Sequence, residues 1–283
     1  VSAGGGTVAR LRSNTAALAA LGVLLMLVLL AAFGPWLNPN RFDALDWHSV
    51  AMPPGLAHSH WLGTDRLGRD LFVRTLQAAR VSLAVGVFAT LLSVVIGIAY
   101  GAVAGFAGGR VDYWMMRGLE LLGGLPLIFF VILMTVVFGR GVLLLFVSIG
   151  AIGWLTMARI VRGQTLSLRH REFIEAAVAS GAGTVRILTR HIVPNVLSPV
   201  IAYATLTVPQ IILFESFLSF LGLGIQEPDA SLGTLIAAGA AEMESAPWIL
   251  LTPSLLLAVL LLAFNVLGDA LRDAFDARGM LRP

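Results

Sequence analysis

Long apolar runs alternate along this chain with short polar breaks. Six runs of about twenty residues stand out, at roughly 16–34, 82–106, 118–138, 142–160, 197–220 and 249–268. At 1.5 Å rise per residue, each reaches across about 30 Å of hydrocarbon as a helix. The pattern predicts an all-α integral membrane protein: a polar N-terminal segment, 1–15, and a transmembrane domain over 16–283. Residues 16–33 lack a small-residue cleavage site and run too long for a signal peptide, so they read as a retained first span. Spans three and four are parted only by Gly139-Arg140-Gly141, a hairpin signal. Pro126, Pro199, Pro209 and Pro253 fall inside spans. Each frees a carbonyl there, which suits a conduit but also occurs in ordinary membrane helices.

The polar breaks carry their own patterns. Residues 35–81 begin irregularly, with Pro35, Pro39, Pro53 and Pro54. The stretch HWLGTDRLGRDLFVRTLQAARVSL then predicts a helix from near Arg66, capped by Thr64 or Asp65. Its apolar stripe is Leu67, Leu71, Phe72, Leu76 and Ala79, and its i,i+4 pairs are Arg66–Asp70 and Asp70–Arg74. This helix reads either as a basic surface guiding substrate or as a self-paired lead into the second span. At GGRVDYWMMRG, Gly108-Gly109 breaks the helix, and Tyr113 and Trp114 suit the headgroup level. Residues 221–248 hold Glu227, Asp229, Glu242 and Glu244 and no Arg, with a short or re-entrant helix expected over Ser231–Met243. That acidic loop is either a docking face or a solvated one. The tail, 269–283, is amphipathic, with an i,i+3 pair at Asp269–Arg272.

Composition sharpens this picture. Only 12% of the 283 residues are charged and 58% are hydrophobic, against about 25% charged in soluble domains. All 19 basic residues are Arg. Without Lys the chain cannot form a GxxxxGK[ST] phosphate loop, which excludes a standard ATP site of its own. Without Cys it has no disulfide, thiolate nucleophile or Cys-ligated metal. The net charge of +3 marks the cytoplasmic ends of helices rather than nucleic-acid binding. With the N-terminus inside, 13 Arg fall on the cytoplasmic side and six outside. That predicts both termini inside, 35–81 and 221–248 as outer segments, and an inner tail.

The longest inner break, 162–195, is a polar island with five Arg and two His. Glu172 to Ser180 are good helix formers, and Glu172 and Glu175 lie where carboxylates favour the helix dipole. Ala176, Ala177 and Ala179 keep this helix thin. Gly181 and Gly183 break it, Thr184 caps a second short helix, and Pro194 ends that helix before the fifth span. Two carboxylates sit in apolar context, Glu120 and Glu215. One near the bilayer centre costs about 2.5–3.5 kcal/mol, so Glu215 must face protein or water. It is either an interhelical partner or, with Phe214, Pro209 and Asn265, part of a translocation path or gate. Asn265 also suits an interhelical hydrogen bond. Ser180 and His191 stand 11 apart, but no GxSxG elbow and no buried Asp partner accompany them, which argues against a hydrolase. The chain halves show no repeat of the kind a self-sufficient secondary transporter usually carries.

EAAVASGAGTVRILTRHIVPN, with Glu175-Ala176-Ala177, Gly181 and Pro194, resembles the coupling loop of ABC-importer permeases. HWLGTDRLGRD, GGRVD, IVRGQTLSLRHREFIEAA, HIVPNVL, ILFESFLSFLGLGIQEP and AFNVLGDALRDAFD resemble the peptide/nickel branch of that family. FESFLSFLGLG and RGQTLSL are most similar to the C-type permease of oligopeptide importers. The chain departs from the branch at Leu232, where Trp is usual. The resemblance implies a six-span, type I importer fold and a heterodimer with a second, homologous permease. Two cytoplasmic ATPase subunits would bind the ATP and Mg, this chain holding no cofactor, and an external peptide-binding protein would deliver substrate. It also implies a coupling helix carried by Arg171, Glu172, Phe173, Glu175, Ala176 and Ala177, with Gly181 and Pro194 shaping the loop. Oligopeptides are the substrate so implied; dipeptides, nickel and glutathione are the alternatives within the branch.

Overall fold

A computed structural model describes residues 11–55, 60–139 and 141–276. Expectations for 1–10, for Arg140 in the hairpin between spans three and four, and for tail residues 277–283 lie outside the described residues. The helices are α1 (Thr15–Phe33), α2 (Leu71–Ala107), α3 (Gly109–Gly123), α4 (Leu127–Phe138), α5 (Val142–Leu168), α6 (Glu172–Ala179), α7 (Thr184–Ile187), α8 (Val193–Phe220), α9 (Leu232–Ala240) and α10 (Pro247–Asp276). Five stretches are long and apolar enough to cross a membrane, and the pair α3 and α4 makes a sixth if taken as one bent span.

Local chemistry places most boundaries. The Asn14 side chain accepts from Ala17 N at 3.1 Å and starts α1. Asp70, not Thr64 or Asp65, caps α2, accepting from Val73 N at 3.0 Å. The expected start near Arg66 is wrong because Asp65 Oδ1 is already taken by the N–H groups of Leu67 and Arg69, closing a tight turn. Gly68 stands in that turn at φ +73°, and a Cβ there would fall on the Asp46 carbonyl. The helix therefore begins after Gly68 and runs unbroken for 37 residues through the second span.

Two further expectations are corrected. Span three is not a simple helix over 118–138: it breaks before Pro126, and α3 meets α4 at 77°. Pro disfavours helical backbone in the residue before it and cannot donate a helix hydrogen bond. Twelve-residue α4 covers only about 18 Å. Pro194 does not end a helix before span five. A π-turn over Leu188–Ile192 joins α7 to α8, closed by Val193 N onto the Leu188 carbonyl. Pro194 has no N–H to offer the turn behind it, so the wider ring forms there. Asn195 Nδ2 then donates to the His191 carbonyl at 2.7 Å. Gly183, not Thr184, occupies the cap position of α7.

The centre of the bundle is the α2–α5 contact. Gly97, Gly101 and Gly105 recur every fourth residue and line one face of α2. A Cβ on Gly101 would lie 2.4 Å from the Ala158 carbonyl oxygen and 2.9 Å from Arg162 N, and one on Gly105 2.9 Å from the Arg162 carbonyl. The backbones thus touch, the small-residue packing that membrane helices use where lipid removes the hydrophobic drive. Leu119, Leu155 and Ala158 form an apolar cluster at the seam itself, and three more lie around it. One joins α1, α2, α8, α9 and α10, a second α2, α4, α5 and α8, and a third sits under α6.

Candidate functional site

At one end of the bundle the polar island is built as an exposed helix on a single apolar foot. Arg171 takes the N-cap position of α6, and its carbonyl accepts from Ile174 N and Glu175 N. Ile174 is buried with Ile187, Ile192 and Val196, and Phe173 lies against the His191 ring with centroids 6.4 Å apart. Glu172, Glu175 and Ala176 face outward and Ala177 is half-buried. Neither glutamate forms an ion pair among the described residues. Ala182 N reaches back to the Ala177 carbonyl at 3.0 Å and Gly181 N to Val178 at 2.9 Å, with Gly181 at φ +76°. This is a helix stop that needs a left-handed residue, hence glycine. Exposed Pro194 lies beyond it, at the start of α8.

Beneath α6, two stretches named in the sequence reading turn out to be partners. Arg162 forks onto Asp112, with Nε and Nη2 each 2.5 Å from a carboxylate oxygen. This bidentate pair, the strong geometry for such ions, ties the start of α3 to α5. Arg169 Nη1 donates to the Gly105 carbonyl at 3.4 Å. The α6 end therefore rests on the same α2–α5 seam that centres the fold.

Between α5, α8 and α10 lies a cavity of about 550 Å³. One face of α8 lines it with Tyr203, Thr207, Gln210 and Phe214, spaced by one helical turn or near it. They span about 16 Å of membrane depth. Ile149, Gly153, Thr156 and Ile160 of α5 also line it, as does Arg272 of α10, whose guanidinium lies over the Tyr203 ring. Of the four path candidates only Phe214 lies here. Pro209 is buried on another face of α8. Asn265 is exposed and donates to the Leu261 carbonyl of its own helix at 2.9 Å, in place of the expected interhelical bond.

Glu215 turns away from the cavity. It is fully buried and collects serines from two helices: Ser82 Oγ donates at 2.9 Å, Ser219 Oγ at 2.7 Å and Ser216 Oγ at 3.5 Å. Ser82 Oγ in turn accepts from Leu232 N at 3.2 Å. The carboxyl thus ties α2, α8 and the start of α9 together. Glu215→Ala removes the acceptor from three buried hydroxyls and should lower stability by about 2–4 kcal/mol, with Glu215→Gln milder. The check is thermal unfolding of the purified chain in detergent. Unchanged unfolding with lost transport would return Glu215 to the path.

At the opposite end the segments 35–81 and 221–248 clasp each other. Arg69 reaches Glu227 at 2.9 Å and Asp65 at 2.6 Å, and Arg66 reaches Glu242 at 3.1 Å. Ser245 and Arg66 hold the Glu242 carboxyl below its usual range. Asp70 pairs with His60 at 2.8 Å. The helix-spaced pairs Arg66–Asp70 and Asp70–Arg74 do not form: these charges seek partners across loops, because residues 66–70 form a turn. α9 lies within the expected Ser231–Met243 helix and starts in a capping box of Ser231 and Thr234. Leu232, the departure from the branch pattern, is wholly buried.

The glycine seam, the Asp112–Arg162 fork and the serines on Glu215 were all missed in the sequence. The glycines alone had a readable signal, their four-residue spacing in α2.

A bundle of apolar helices with a short exposed helix at one end, a membrane-depth cavity and clasped loops at the other defines a transport subunit. A profile of the family described as binding-protein-dependent transport system inner membrane component matches residues 97–279. One for the N-terminal TM domain of oligopeptide transport permease C matches residues 2–54. The chain belongs to this family of inner-membrane transport components. It is 52% identical over 269 residues to the oligopeptide transport system permease protein OppC of Escherichia coli K12, covering 95% of this chain and 89% of that one. Against OppC of Haemophilus influenzae identity is 49% over 265 residues, 94% and 85% covered. Against the dipeptide permease DppC of Bacillus subtilis it is 45% over 270 residues, 95% and 84% covered. The fold matches a chain of the methionine ABC transporter MetNI, solved in inward-facing conformations, with a TM-score of 0.58 at 19% identity over 71% of this chain and 96% of that one. It is the type I importer permease fold.

Proposed function

We propose that this chain is one of two membrane subunits of an ATP-driven oligopeptide importer and works by alternating access. The carrying observation is its likeness, over nearly its whole length, to permeases named for oligopeptide transport. α6 is the coupling helix. It presents Glu172, Glu175 and Ala176 to a groove on one of two ATPase subunits, which bind ATP and Mg. The chain itself has no Lys for a phosphate loop. A homologous permease completes the cavity along α5 and α8, and an external peptide-binding protein docks over the clasped outer segments. Both termini and α6 lie in the cytoplasm, as the Arg count predicts.

The mechanism follows from stiffness. Closure of the ATPases moves α6. Ile174 passes the movement to α7 and to the π-turn, which is continuous with α8 and so with one wall of the cavity. The test is the reconstituted complex. Glu175→Ala and Gly181→Leu should each cut peptide-stimulated ATP hydrolysis and uptake about tenfold or more. For Gly181 the left-handed backbone alone costs about 1–2 kcal/mol. Normal uptake in both variants would refute the coupling assignment.

Dipeptides are the second reading, favoured by the 45% identity to a dipeptide permease. Competition for uptake among peptides of about two to six residues separates the two.

A further inference from the structure

α6 is tied to the bundle on two sides. One tie is the apolar foot, Ile174 against α7 and the π-turn that leads into α8. The other is the chain itself. Only Arg169 and His170 separate α5 from Arg171, the N-cap of α6, and Arg171 N closes that link onto the Leu168 carbonyl at 2.9 Å. So short a link passes a displacement of α6 directly to α5. About 9 Å back along α5 from its end stands Arg162, whose fork holds Asp112 of α3.

α3 needs such a hold. It meets α2 at Gly108-Gly109, with φ of +64° and +53°, a joint with no side chain to fix its angle. Three ties set that angle. Tyr100 Oη of α2 donates to the Met115 carbonyl at 2.7 Å, and Leu119 packs with Leu155 and Ala158 of α5. The fork is the third, and among the described residues it is the only ion pair between α3 and another helix. Arg117 and Glu120, the other charges in the hollow beside it, pair with each other at 3.3 Å. Asp112 is nearly buried and Arg162 a third exposed, and two parallel bonds fix orientation as one does not. Beyond the 77° bend before Pro126, Leu127 lines the cavity. We propose that Asp112 and Arg162 are a positioning pair of the transport stroke. They lock α3 to α5, so that displacement of α6 moves α3, and with it Leu127 at the cavity, as well as α8. This rests on α6 being the coupling helix. It adds a second route from that helix to the cavity, one that passes through neither Ile174 nor the π-turn.

The experiment uses the reconstituted complex and reads two quantities, peptide taken up per ATP hydrolysed and the distance between α3 and α6. Because the sequence has no cysteine, spin labels at Leu121→Cys and Ser180→Cys, both exposed positions, report that distance without background. With the fork intact the distance should not change when ATP is added. Asp112→Asn keeps the shape and removes the charge. It should lower uptake per ATP about tenfold, a common size for coupling between sites, and let the distance change with ATP. Arg162→Lys keeps the charge but loses the fork; it should shift both readings the same way by less, and it carries the test if Asp112→Asn does not assemble. Tyr100→Phe loosens α3 from α2 instead of α5 and should change neither. Normal uptake per ATP in Asp112→Asn and Arg162→Lys overturns the proposal. So does a fall in uptake with the distance unmoved, or an equal fall in Tyr100→Phe, which would mean that any tie on α3 serves. If wild type takes up no peptide, or if Glu175→Ala and Gly181→Leu transport normally, the failure belongs to the proposed function. Coupled uptake lost in those two and kept in Asp112→Asn sinks only the role of the fork.

Discussion

Replacing Gly101 by leucine will leave little folded protein. The position faces α5 so closely that even a methyl group would meet the Ala158 carbonyl at 2.4 Å and Arg162 N at 2.9 Å. Both neighbours are backbone of a helix, so no side chain can swing aside; α2 and α5 must separate along their length. Separation also pulls on the Arg162–Asp112 fork one turn away and on the Thr165 contact with Gly105. Overpacking in a close-packed interior costs about 1–3 kcal/mol and occasionally more. Here it adds to the loss of the contact along the seam, so about 3 kcal/mol or more is expected. The measurement is the yield of monodisperse protein in detergent and its unfolding midpoint. Gly163→Ala is the control: it lies in α5 with nothing within 4 Å of a new Cβ. It should be neutral or slightly stabilising, since alanine favours helix over glycine by about 1 kcal/mol. A folded, stable Gly101→Leu protein would mean that the two helices do not touch.

Replacing Ile174 by aspartate will detach α6 while leaving the spans intact. α6 has eight residues, too few to be stable alone in water, and Ile174 is its one fully buried side chain. Removing that side chain forfeits about 1.5–3 kcal/mol of burial. A charge in its place adds a desolvation cost that the helix avoids by lifting off. The expected result is a chain with near-native unfolding but no ATP-driven uptake in the complex. Because the sequence has no cysteine, a single Ser180→Cys carries a probe at the end of α6 without background. Its mobility should rise sharply with Ile174→Asp. Full uptake by this variant would show that α6 transmits nothing.

Both predictions concern places where near neighbours in sequence hide distant partners in space. The spans, their rough limits and the polar island were legible because a lipid interior demands about twenty apolar residues per crossing, whatever the helices pack against. The helix at 172–179 and its stop at Gly181 were legible for a local reason too: capping and left-handed backbone depend on residues a few positions apart. The start of α2 was misplaced because the Asp65 side chain was committed to the turn at Gly68, and that turn is pressed against Asp46, some twenty residues back. The π-turn at 188–192 was misread as a helix end because Pro194 signals a missing hydrogen bond, not how neighbours absorb it.

By itself the sequence determined the apolar spans and their rough limits, the helix at 172–179, the lack of a Lys for a phosphate loop, and the need for Glu215 to face protein or water. Hydrophobic period, capping and composition are short-range properties, and they survive without knowledge of the fold. Only the tertiary structure decided where Glu215 points. Phe214 and Glu215 are adjacent in sequence, yet a helical step of 100° sends one to the cavity and the other to Ser82 and Ser219. Which of those directions is path and which is core depends on what α2, α5, α9 and α10 place opposite. That is set by the closeness of the Gly97–Gly105 seam and by long-range contacts.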